Sequence, residues 1–116
     1  MIESIYDVLP STGTALAVFT RGMHLQIEAD GTGQSGNWRI DPNREFDYLI
    51  IYERDEDEMG SASNKVYVAE PVGIVESSEA GRSIIRFRNL SDRGITTSNW
   101  SEFADAGANP VRYIRN

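Results

Sequence analysis

The chain has 116 residues, a net charge of −7 and 40% hydrophobic residues, the size of a single domain (1–116) with enough apolar material for a core. It contains no cysteine, which excludes disulfide staples, thiolate nucleophiles and cysteine-ligated zinc. No apolar run approaches the ~18 residues of a membrane span, and Met1-Ile2-Glu3-Ser4 shows no signal-peptide pattern, so the expectation is a cytoplasmic protein with no membrane partner.

Residues 2–9 place Ile2, Ile5, Tyr6 and Leu9 at helical spacing, which predicts one or two helical turns on the core. Residues 14–20 read as a first strand, although Ala15 to Ala17 also suit a helix. Met23, Leu25 and Ile27 alternate with His24, Gln26 and Glu28, the pattern of a strand with one wet face. The Arg21-Gly22 turn between these segments predicts a hairpin. Residues 30–36 carry three glycines and read as a flexible loop.

Trp38 to Ile40 then read as a short strand, and Asp41-Pro42-Asn43-Arg44 as a turn. The run Phe46-Asp47-Tyr48-Leu49-Ile50-Ile51-Tyr52 is the most apolar stretch of the chain and predicts a central strand over about 46–53. The acidic run Glu53 to Glu58 and the following Gly60-Ser61-Ala62-Ser63 predict a solvated loop. Val66 and Val68 begin a fifth strand that Pro71 breaks or bulges, with a path for Val72 to Val75 beyond it.

Residues 77–81 turn the chain. In residues 82–89, Ile85 and Phe87 share one face and Arg86 and Arg88 the other. Leu90 to Gly94 read as a loop. Ser98 or Asn99 can cap a short helix, Asn99 with Glu102 as its capping-box partner. Gly107 and Pro110 stop that helix, and Val111 to Ile114 form a last strand. The fold class expected is α+β: mostly antiparallel β, a curved sheet or small barrel with one or two short helices.

Chemistry-bearing patterns are sparse. His24 is the single histidine, too few for a histidine metal cluster. Gly31-x-Gly33-x-x-Gly36 matches dinucleotide-binding spacing, but Trp38-Arg39-Ile40 and Pro42 follow where a helix is required. Asp55 to Glu58 lack calcium-loop spacing. No catalytic residue, metal ligand or cofactor is therefore assigned. Ten of the eleven basic residues are arginines, suited to planar contacts with phosphate or carboxylate. Several lie beside aromatics that carry polar handles, as Arg39 beside Trp38.

Trp38, the run Asp47-x-Leu49-Ile50-x-Tyr52 and the returning Val66-Tyr67-Val68-Ala69-Glu70-Pro71-Val72 resemble the PUA-like superfamily, particularly its EVE-type members, over residues 37–90. Phe46-Asp47 stands where those members carry Gly-Asp. The resemblance implies a small barrel whose aromatic pocket reads a modified base, with Trp38 and Tyr52 nearest to the pocket aromatics.

The function expected is a non-enzymatic recognition module for a base, nucleotide or similar planar ligand. Trp38 and Tyr52 would stack on it, and Arg39, Arg86 and Arg88 would hold its phosphate. The alternative is a protein-interaction or assembly subunit, with a homo-oligomer or protein partner, acting through an exposed strand and the acidic loop. A third reading is a hydrolase using His24 with Glu28 or Asp30.

Overall fold

The computed structural model describes residues 1–56 and 62–115. One seven-stranded sheet runs in the order β2-β3-β6-β5-β4-β1-β7. Its strands are β1 (Thr14–Thr20), β2 (Leu25–Ile27), β3 (Gly33–Trp38), β4 (Tyr48–Glu56), β5 (Ala62–Glu76), β6 (Ser83–Thr96) and β7 (Val111–Arg115). The helices are a 3₁₀ turn at Ile5–Asp7 and α1 (Trp100–Ala104). The sheet is curved and does not close into a barrel.

The apolar run is the centre of the fold. Leu49, Ile50, Ile51 and Tyr52 are all fully buried on β4, because both faces of this strand are covered. The acidic residues after it do not all lie in a loop. β4 continues to Glu56, pairing Glu53 with Lys65 and Arg54 with Asn64. Asp57 and Glu58 of the expected acidic loop lie outside the described residues.

β1 does not form the expected hairpin with the Met23–Glu28 segment. It pairs parallel with β4, Ala15 opposite Tyr48, and antiparallel with β7. Apolar content decides this. Ala15, Leu16, Ala17 and Val18 are fully buried, and a two-strand ribbon with the half-wet Leu25–Ile27 would leave one of their faces in water. β2 pairs instead with β3.

β3 occupies the stretch expected to be a flexible loop. Gly33 is in the strand because Phe87 fills the space a side chain would need. A Cβ built on Gly33 would sit 2.1 Å from the Gln26 carbonyl oxygen and 2.6 Å from Phe87 Cζ. The strand ends at Trp38, so only the first residue of the expected Trp38–Ile40 strand is in it, and Arg39 and Ile40 lie beyond.

β5 and β6 are long and irregular. Their ladder shifts register at Val66/Tyr67, Val68/Glu70 and Pro71/Gly73. Such bulges bend strands and increase their twist. Leu90 to Gly94 therefore continue β6, paired with β5, where a loop was expected. The bend brings Trp38, Ile85 and Phe87 onto Leu16, Val18, Leu49 and Ile51 in one buried cluster. A second cluster on the opposite face joins Ala17, Ile50, Tyr52 and Val66 to Ile5, Trp100 and Phe103. The short helix lies there, capped by Asn99, whose side chain accepts from the Glu102 N–H at 3.0 Å.

Candidate functional site

The two aromatics expected to stack together do not meet. Trp38 belongs to the cluster inside the curl and Tyr52 to the cluster under α1. Adjacent residues of a strand point to opposite faces, so Ile51 faces Trp38 while Tyr52 faces the helix. The Tyr52 ring has no exposed surface and packs at 5.2 Å from Phe103, 5.6 Å from Phe19 and 5.6 Å from Trp100. Its hydroxyl donates to the Ser98 carbonyl at 2.6 Å, and burial raises its pKa. Trp38 Nε1 donates to Ser35 Oγ at 3.0 Å. Both polar handles are thus satisfied within the protein.

The arginines divide as well. Arg39 is exposed beyond the end of β3 and does not line the cleft that holds Arg86 and Arg88. Arg88 Nε donates to Glu70 Oε2 at 3.1 Å, and that bond is the main reason the Glu70 carboxyl titrates below its ordinary range. Arg86 has no hydrogen bond or ion pair among the described residues.

Arg86 and Arg88 line a cleft of about 410 Å³ with Gln26, Glu28, Thr32, Gln34 and Val72, so the Glu28 carboxylate shares the cleft with the two guanidinium groups. Gln26 lies opposite Gln34, Gln34 opposite Arg86, and Arg86 opposite Gly73. Directly opposed residues of antiparallel strands share a face at about 5 Å. The result is a row of two amides and a guanidinium on the outer face of the sheet. The row ends at Gly73, where an added Cβ would meet nothing within 4 Å. Val72, 52% exposed, supplies an apolar wall.

Chemically this row can hold an anion. The guanidinium offers paired N–H donors, and the amides supply further donors or accept from the ligand. Arg88 brings little extra charge because Glu70 neutralises it. Gln26 was legible from its outward alternation on the β2 segment. Gln34 and Gly73 were not, since only the pairing of β3 and β5 with β6 brings them beside Arg86.

His24 is exposed and has a left-handed backbone, φ 58°. Asp30, its expected partner, accepts instead from Thr32 Oγ1 at 2.6 Å and Thr32 N at 3.0 Å. Gly33 and Gly36 of the glycine pattern lie in β3, with no helix after them. Among the described residues no group of three or more His, Asp or Glu could hold a metal ion, and no helix is long and apolar enough to cross a membrane.

No family model, curated protein or solved structure matches the chain. The PUA-like resemblance therefore rests on its short motifs alone.

Proposed function

We propose that the protein is a non-enzymatic recognition module that takes an anionic group of its ligand on the Gln26–Gln34–Arg86 row. The observation that carries this reading is Arg86, which has no counter-ion among the described residues of an acidic chain. Neighbouring Arg88 and Arg82 have the carboxylates of Glu70 and Glu79 at 3.1 and 3.5 Å. An arginine with unfilled donors beside two amides suits a carboxylate or phosphate. A base or other planar group of the ligand would lie against Val72 and the row itself, since Trp38 and Tyr52 are engaged in the core.

The test is titration of ¹⁵N-labelled protein with inorganic phosphate, acetate and adenosine monophosphate. The expected result is a saturable shift of the Arg86 Nε–H resonance, lost in Arg86→Ala at an unchanged melting temperature. Absence of any Arg86 response to all three probes would rule the reading out.

A second reading, assembly through an exposed strand, is favoured by β7. It ends the sheet with one edge unpaired among the described residues, and such an edge is a template for pairing with another chain. A concentration-dependent mass in analytical ultracentrifugation would support it, and a strict monomer would remove it.

A further inference from the structure

We infer that the anionic group is carried on an extended peptide, which adds as a strand to the bare half of β5 and sets an acidic side chain on Arg86. This rests on the preceding reading for the role of Arg86 and adds the class of ligand.

β5 is covered by β4 over its first half only. Their ladder ends at Leu49 opposite Ala69. Beyond that point, from Pro71 to Glu76, β5 pairs with β6 alone. The 41–47 segment runs opposite the bare edge, but Asp41 turns it in on itself. Asp41 Oδ1 accepts from Asn43 N at 2.9 Å, and its carbonyl accepts from Arg44 N at 3.1 Å. No backbone hydrogen bond joins this segment to Pro71–Glu76 among the described residues. Between them lies a cleft of about 580 Å³, lined by Pro42, Phe46, Pro71, Gly73 and Ile74.

An unpaired strand edge presents rows of N–H and C=O groups that an extended peptide can complete. Pro71 has no N–H to give, so the five residues from Val72 to Glu76 offer about 17 Å of strand for pairing. Gly73 is where this edge meets the anion row. It lines the cleft, it lies opposite Arg86, and it has no side chain to separate the two. Val72 lines both clefts, so they adjoin. A side chain from a strand paired here would pass over Gly73 to the guanidinium.

The Arg86 guanidinium, not the summed charge of the clefts, selects an acidic side chain on the peptide. The cleft's own charged groups are engaged or opposed. Arg44 lies over the Tyr113 ring at 3.7 Å, Asp47 accepts from Thr14 N at 2.9 Å, and Glu45 opposes Arg44 in sign. Across Gly73, Arg86 has no hydrogen bond or ion pair among the described residues, and it shares its cleft with Arg88, which Glu70 holds, and with Glu28.

The experiment uses the whole ¹⁵N-labelled chain and four probes. These are a capped six-residue Val/Thr peptide with one central glutamate, its glutamine counterpart, the glutamate peptide N-methylated at alternate amides, and acetate. The glutamate peptide should shift the amides of Gly73 and Ile74 together with Arg86 Nε–H. The glutamine peptide and the Arg86→Ala protein should each bind about tenfold more weakly, as expected for loss of a charge-assisted hydrogen bond. The N-methylated peptide should not bind. If acetate moves Arg86 but the glutamate peptide binds no better than acetate, the strand-addition inference fails while the anion reading stands. If the N-methylated peptide binds as well as its parent, the edge is not used and the inference again fails. If neither acetate nor peptide moves Arg86, both fall.

Discussion

Arg88 and Glu70 stand directly opposite each other on β6 and β5, with Arg88 Nε 3.1 Å from Glu70 Oε2. Two residues earlier, Arg86 stands opposite Gly73, which has no side chain to answer it. One strand thus carries a neutralised and an available guanidinium on the same face.

This difference is measurable in acid. The Arg88 hydrogen bond, and after it one from Asn89, lowers the Glu70 pKa from its ordinary 4.5. A depressed carboxylate contributes stability that is present above its unfolded value and lost as pH falls through the folded one. The contribution therefore disappears below about pH 4.5. Both partners are exposed, so the effect on stability is small. Carboxyl NMR titration should show Glu70 rising toward its ordinary value in Arg88→Ala, with no such change in Arg86→Ala.

The alkaline limb should be set by tyrosines. Burial raises Tyr52, Tyr67 and Tyr113 above their ordinary 10.0. A raised acid favours the folded state fully below the unfolded value and loses that contribution as pH rises through the folded one. Stability should therefore fall above pH 10, with tyrosinate absorbance appearing together with unfolding. Tyr52→Phe should remove part of this dependence. At neutral pH it should cost about 1 kcal/mol, for the lost bond to Ser98.

Two glycines make opposite predictions. Gly33→Ala drives a methyl group to 2.1 Å from the Gln26 carbonyl oxygen and into the Phe87 ring, and overpacking of this kind costs about 1–3 kcal/mol or more. Gly73→Ala meets nothing within 4 Å and should stay within about 0.5 kcal/mol of the parent. Urea denaturation of the two variants decides it. Equal stabilities would contradict the strand assignment of Gly33.

Ile50→Asp should abolish cooperative folding. Ile50 is fully buried between β1 and β5, in the cluster beneath α1. An unpaired buried charge costs several kcal/mol, comparable with the ~5–15 kcal/mol that stabilises a domain. A soluble variant with the parental melting curve would refute the central place given to β4.

What the sequence determined by itself were properties held within a few residues. The apolar run at 48–52 required a strand covered on both faces. Strict alternation at 84–88 put Ile85 and Phe87 inside and Arg86 and Arg88 outside. Asn99, three residues before Glu102, announced the cap of the helix. Period and capping are local, so they can be read locally. Pairing is not local. That β1 takes β4 in parallel, and not β2, depends on which neighbours can cover Ala15, Leu16, Ala17 and Val18, with the partner Tyr48 lying 33 residues beyond Ala15. The glycine-rich stretch reads as a loop until Phe87 is seen to occupy the place of a Gly33 side chain. The separation of Trp38 from Tyr52 likewise follows from the curl of the sheet, which sends the two residues into different cores. The charge state of the arginine face was decided by register, because a bulge between Pro71 and Gly73 puts Glu70 opposite Arg88 and leaves Arg86 facing a glycine. Only the assembled sheet sets that register, since every bulge shifts which side chains are opposed.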